Sequence, residues 1–206
     1  MQSMKYQDFV IKDGKFVGKF EEMYQQFEDP WNQTKEETVE NSIGRQAVCR
    51  YIKNFQINSI VAFGCGLGET TKFIYQNTGV DILGFDIAET AIKKAKTSHP
   101  SIKFQVNDVA NICEYKDYDC YFFSELTWYL LEDNKIDKIF EKMRNSLKGK
   151  YLIHNLSFYK RSQEYGLDYF SNLEQFIEFC PFELLSKTST EFEERDVIET
   201  STIFQI

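Results

Sequence analysis

The chain has 206 residues, of which 42% are hydrophobic and 16% aromatic, and a formal net charge of −8. That composition excludes a disordered chain and leads us to expect one domain with its own core. The acidic balance argues against nucleic acid and against an anionic membrane as partners.

The opening "MQSMKYQDFV" lacks the apolar core of a signal peptide, and no stretch reaches membrane-spanning length. Five Cys form no C-x-x-C pair and only two His are present. We therefore expect no metal site, and reduced thiols in a cytoplasmic protein. Residues 1–33 read as irregular, with Asp29-Pro30-Trp31 forcing an extended or turned backbone. Thr34 to Glu37 resembles a capping box for a helix that carries Val39, Ile43, Ala47, Val48, Tyr51 and Ile52 and ends near Phe55. From there strands and helices alternate. "SIVAF" predicts a buried strand, "ETTKFIYQN" a helix stopped by Gly79, "VDILGFD" a second strand and "AETAIKKAKTS" an amphipathic helix. "IKFQVND" and "YDCYFFSEL" follow as strands three and four. Ile136, Ile139, Phe140, Met143 and Leu147 form a helical stripe closed by Gly149, and "KYLIHNLSF" is strand five. Asn172 caps a helix through Phe176, and "FELLSKTSTEF" and "VIETSTIFQI", joined by "EERD", read as an antiparallel hairpin. The pattern implies an α/β fold with a mostly parallel, seven-stranded sheet and one reversed strand.

"IVAFGCGLGET", residues 60–70, places Gly64, Gly66 and Gly68 between the first strand and its helix. Ligands of open α/β sheets bind at that edge, and glycines there allow close approach to the N–H groups of the helix start. Asp86 ends the second strand, where a carboxylate can accept both ribose hydroxyl protons. Asp108 ends the third, where it can accept from an adenine amine while Ile87 and Val109 offer apolar faces to the base. Together they point to an adenosine-containing ligand. Glu69 stands at the last glycine position of the NAD fingerprint, and no second nucleotide-binding half follows. A nucleoside without phosphates fits better.

On Gly64, Cys65, Gly66 and Gly68, on Asp86, and on Asp108 with Asn107 beside it, the sequence resembles the class I S-adenosylmethionine (SAM)-dependent methyltransferases over nearly its whole length. The resemblance implies a Rossmann-like sheet of strand order 3-2-1-4-5-7-6, strand 7 antiparallel, with helices on both faces. It also implies SAM as cofactor and S-adenosylhomocysteine (SAH) as product, with Ile87, Val109 and Ser124 among the cofactor contacts. One position departs from the family: Ala62 stands where an acidic residue usually precedes the glycines. "DPW" before a helix and "SELTWYL" after strand four resemble the small-molecule group that includes the nodulation-factor N-methyltransferase. That likeness implies that residues 1–55 form a cap segment and helix on one domain spanning 1–206, that Trp31 borders the cofactor and that Arg45 faces its carboxylate. More loosely, the chain is similar to enzymes that methylate bacterial surface-polysaccharide precursors, including the O-methyl phosphoramidate modification of capsules.

Methyl transfer to a hydroxyl profits from a general base. Glu125 and His154, at the ends of strands four and five, are the candidate catalytic residues. Glu125 could also bind an amine, of substrate or of SAM, and His154 could be a satisfied core histidine. Lys160 and Arg161 could hold an anionic acceptor or form an exposed loop pair. The aromatic runs 128–131 and 158–170 could cover the acceptor or pack the N-terminal segment. A buried, neutral thiol is expected at Cys65. No N/D-P-P-Y/F follows strand four and no large insertion is present, which favours a small-molecule acceptor. The expected function is transfer of a methyl group to O or N of a small polar metabolite. A non-catalytic SAM-binding-fold interaction protein stays open because of Ala62, and a nicotinamide-dependent oxidoreductase is disfavoured.

Overall fold

Seven strands form the central sheet of the computed structural model, which describes residues 5–35 and 42–206. The third strand across the sheet, β3 (Ser59–Phe63), pairs in parallel with β4 (Asp81–Asp86) on one side and β6 (Cys120–Ser124) on the other. β5 (Lys103–Val106) extends the β4 side, and β7 (Tyr151–Tyr159) extends the β6 side. β9 (Val197–Gln205) runs antiparallel to β7 and to β8 (Glu183–Glu191), which closes the sheet. The order β5-β4-β3-β6-β7-β9-β8 is the expected order. It reverses between β3 and β6, so the crevice for a ligand opens where those two strands end.

Strand alternation divides the core. Ile60 and Ala62 of β3 face α2 (Ile43–Asn54), α3 (Glu69–Thr78) and α4 (Glu89–Ser98), packing with Val48, Ile52, Ile74 and Ile92. Val61 and Phe63 face the other layer, where Ile136, Phe140 and Met143 of α5 (Lys135–Ser146) and Phe176 of α6 (Leu173–Phe179) pack. Gly79 ends α3 at φ 70°, and the Asn172 side chain caps α6 by accepting from the Gln175 N–H at 3.0 Å.

One expectation needs correction. The segment read as irregular holds a 3-10 turn (Tyr6–Phe9), a two-residue hairpin of β1 (Ile11–Lys12) and β2 (Lys15–Phe16), and α1 (Phe20–Gln26). Phe20, Met23, Tyr24 and Phe27 do keep helical spacing, but long-range bonds set the ends of α1. Glu21 accepts from the Thr90 N–H at 3.0 Å. Lys94 Nζ donates to the carbonyls of Tyr24, Phe27 and Glu28 at 2.8, 2.9 and 3.3 Å, satisfying carbonyls that a helix end leaves open. The first described turn of α2 is capped by the Ser42 hydroxyl, which accepts from the Arg45 N–H at 3.3 Å. Glu37 of the predicted capping box and Val39 of the predicted helix lie outside the described residues.

Candidate active site

At the end of β3 the backbone turns through Gly64, Gly66 and Gly68, with φ 72°, 53° and 85°. The chain itself makes the close approach at two of the three. A Cβ on Gly66 would lie 2.7 Å from both Tyr24 OH and Gln33 Oε1, and one on Gly68 would lie 2.6 Å from the Phe104 ring. The loop amides are also occupied from within. Cys65 N–H donates to Phe85 O at 2.9 Å, Gly66 N–H to Asp86 Oδ2 at 2.9 Å, Leu67 N–H to Gln33 Oε1 at 3.0 Å and Gly68 N–H to Cys65 O at 2.9 Å. The N–H groups of residues 65–68, ahead of the helix start at Glu69, are thus bonded within the protein.

What the loop borders is a chamber of about 1370 Å³. Gly64, Asp86, Ile87, Asn107, Asp108, Val109 and Ser124 line one end, as their strand-end positions suggested. Asp86 holds the Ala88 N–H through Oδ1 at 2.9 Å as well as Gly66. Burial raises its pKa, and these bonds oppose the rise. Ile87 is 57% exposed, an unusual state for its side chain, and Val109 is buried across from it. Asp108 accepts from the Ala110 N–H at 2.8 Å and so starts the 3-10 helix Val109–Tyr115. Asn107 is fixed through its Nδ2, which donates to Tyr115 OH at 2.8 Å. Cys65, Gly66 and Gly68 shape the loop without lining the chamber. The Cys65 thiol is buried, and burial pushes its pKa up, so it is neutral. Ala62 is packed beneath the loop against the α2 side of the core.

The roof comes from the N-terminal segment. Asp29 accepts from the N–H groups of Gln33 and Thr34 at 2.7 and 2.8 Å, which folds the DPW turn. Trp31 then lines the chamber, donates to Tyr24 OH at 3.1 Å and meets the rings of Tyr6 and Tyr129 at 5.0 and 6.2 Å. Sequence reasoning did not single out Tyr24, Gln33 or Tyr129. Arg45 lines the chamber from α2 and is 8% exposed. Burial lowers its pKa, and the charges of Glu69 and Glu199 counter that. Glu69 also lies 3.0 Å from His99 Nε2.

The two candidate bases part company. Glu125 lines the chamber at φ 56°, a left-handed conformation that costs a non-glycine residue about 1–3 kcal/mol. Its carboxylate accepts from the Ser157 N–H at 2.9 Å and the Ser157 hydroxyl at 2.8 Å. Burial raises its pKa, the Ser157 bonds oppose this, and the charge of Glu199 adds to it. His154 is on the opposite face of the sheet. It is 1% exposed, stacked on Phe176 at 4.4 Å between ring centroids, and bonded to the Thr127 hydroxyl through Nε2. Burial depresses its pKa to about 3. The structure does not bring His154 to the chamber, and its environment is that of a core histidine. Lys160 and Arg161 stay outside as well: Lys160 pairs with Glu191 at 3.0 Å, and the Arg161 N–H donates to Asp196 at 2.8 Å. Trp128 packs on Phe158 and Phe170, while Tyr129 packs on Phe16 and Phe20 of the N-terminal segment. Among the described residues, no group of three or more His, Cys, Asp or Glu could hold a metal ion, and no helix is long and apolar enough to cross a membrane.

No curated protein matches the chain in sequence. Residues 60–150 match the model of a methyltransferase domain family. Among solved structures, the N-methyltransferase NodS from Bradyrhizobium japonicum WM9 in complex with SAH superposes with a TM-score of 0.65 at 14% identity, over 88% of this chain and 97% of that one. A SAM-dependent methyltransferase from Clostridium acetobutylicum gives 0.64 at 13% identity, over 89% and 98%. A TehB-like SAM-dependent methyltransferase from Corynebacterium glutamicum gives 0.61 at 18% identity, over 90% and 97%. At such identities the likeness is one of fold. Residues 60–150 thus carry a methyltransferase domain, and the chain has the Rossmann-like fold that these SAM-dependent enzymes share.

Proposed function

We propose that SAM is the methyl donor and that a small polar molecule, bound in the same chamber, accepts the methyl group on nitrogen or oxygen. The observation that carries this reading is the occupied glycine loop beside a carboxylate-lined crevice. A pyrophosphate needs free N–H donors at the helix start. The N–H groups of the loop before it, residues 65–68, are bonded within the protein, and Asp86 and Asp108 line the chamber, where their further lone pairs can accept from ribose and adenine. In this reading Asp86 accepts from the ribose hydroxyls, Ile87 and Val109 hold the base between them, and Arg45 meets the methionine carboxylate. SAM supplies a methyl group already activated on sulfonium sulfur, which keeps the C–S electron pair as the methyl leaves. The protein's part is to align the acceptor and exclude water.

The chamber's volume of about 1370 Å³ supports room for both molecules, since a typical small-molecule site spans roughly 300–1,000 Å³. A sugar-linked precursor of a bacterial surface polysaccharide is one acceptor class of this reading. The phosphoramidate form is less well supported, because Lys160 pairs with Glu191 and neither Lys160 nor Arg161 lines the chamber. Five unpaired cysteines support the cytoplasm as the compartment. Calorimetric titration with SAH, with NAD as control, tests the donor. Micromolar SAH binding and none of NAD is expected. Absence of SAH binding would overturn the reading.

A further inference from the structure

Beside Glu125, β7 and β9 bring further hydrogen-bond acceptors to the chamber. β7 and β9 are neighbours, with Ser157 opposite Glu199 and Asn155 opposite Ser201. Asn155 and Ser157 share one face of β7, away from His154. Ser157 holds the carboxylate of Glu125. Glu199, on the adjoining strand, accepts from the Ser42 hydroxyl at 3.0 Å through Oε2. Asn155, Glu125 and Glu199 all line the chamber. Asn155 is 8% exposed, yet its Oδ1 has no hydrogen-bond partner among the described residues. A buried carbonyl oxygen left so is destabilising, and a bound donor would satisfy it. Arg45, which lines the chamber together with Lys35, Lys135 and Arg195, feels the charges of Glu69 and Glu199. Two carboxylates and a buried carbonyl oxygen thus stand together where β6, β7 and β9 meet the chamber.

Resting on the reading of the chamber given above, we propose that the acceptor presents a protonated amine to Glu125, Glu199 and Asn155, and that this nitrogen receives the methyl group. An ammonium carries up to three N–H donors for three acceptors, whereas a hydroxyl has one. A phosphate would add like charge beside two carboxylates. Methylation needs the nitrogen lone pair, so one proton moves first from nitrogen to a Glu125 oxygen. The freed pair then forms the N–C bond, and the C–S pair remains on sulfur. Glu125 is fitted to take the proton because burial already favours its protonated form.

Calorimetry on the SAH-saturated protein tests this with matched probes: glucosamine against glucose, ethylenediamine against ethylene glycol, and inorganic phosphate. Each amine should bind at least about tenfold more tightly than its alcohol, as expected for a desolvated charge pair, and Glu199→Gln should erase the difference. Equal or tighter binding of the alcohols, tighter binding of phosphate, or no saturable binding of either amine would overturn the proposal. Saturation with SAH is measured first. Its failure refutes the donor reading, whereas SAH binding without amine preference refutes only this inference.

Discussion

Acidification should single out His154. In the folded protein its pKa is depressed from 6.5 to about 3 by burial, so the ring stays neutral where an unfolded chain would protonate it. Between those values the unfolded chain binds more protons here, so stability rises with pH and is lost on acidification. The full difference is worth roughly 5 kcal/mol, of which about 2 kcal/mol is lost by pH 5. Carboxylates titrate in the same range, so the measurement must be differential. His154→Gln removes the titrating ring and its stack on Phe176. At pH 7.5 it should be less stable than the wild type by about 1–3 kcal/mol. At pH 5 the wild type's advantage should have shrunk by about 2 kcal/mol. Urea unfolding of both proteins at both pH values reads this directly. An advantage of the same size at both would refute the buried, neutral state. Turnover per folded molecule should be unchanged in His154→Gln. A loss of about 100-fold or more would instead return His154 to the role of base.

Asp86→Ala should abolish SAH binding in calorimetry and cost about 1–3 kcal/mol, because the N–H groups of Gly66 and Ala88 lose their acceptor; Asp86→Asn, which keeps an acceptor oxygen, should bind better than Asp86→Ala. Gly66→Ala places a Cβ 2.7 Å from Tyr24 OH and Gln33 Oε1 at φ 53°. It should cost about 1–3 kcal/mol in urea unfolding and expose the N-terminal segment to limited proteolysis. Lys94→Met leaves the carbonyls of Tyr24, Phe27 and Glu28 without their cation. Amide exchange should quicken in α1 and stay unchanged in β3 and β6.

Why α1 escaped the sequence reading, while α3 and the β8–β9 hairpin did not, is a matter of where the determining contacts lie. α3 is bracketed locally, by glycines at positive φ at both ends. The hairpin is marked by two β-rich runs with only a short polar link between them. α1 has seven residues and no side-chain cap, and its ends are held by Thr90 and Lys94 on α4. Propensity cannot report such support. The face of β7 was hidden for a related reason. Leu152, Ile153, His154, Asn155 and Leu156 are all buried, so no polar alternation marks the side that faces the chamber. His154, the one imidazole on the strand, was read toward the chamber, which the opposite face lines with Asn155 and Ser157. Glu125 was legible because it ends a strand at the sheet's switch point, where either face leads into the crevice.

The glycine loop shows how the two ends of the chamber are separable. Its shape is set from below by Asp86 on Gly66 and from above by Gln33 on Leu67, so the loop is held by protein contacts alone. Donor affinity must then depend on the N-terminal segment as much as on the strand-end carboxylates. Gln33 and Tyr24 act on the loop, while Trp31 forms the roof. The acceptor end has no such dependence, for Glu125, Asn155 and Glu199 are carried by β6, β7 and β9, on the far side of the sheet's switch point. Loosening the segment should weaken SAH and leave amine discrimination, measured at saturating SAH, untouched. Changing Glu199 should do the reverse. That division follows from which elements carry which groups. It is the reason the donor and the acceptor can be tested apart.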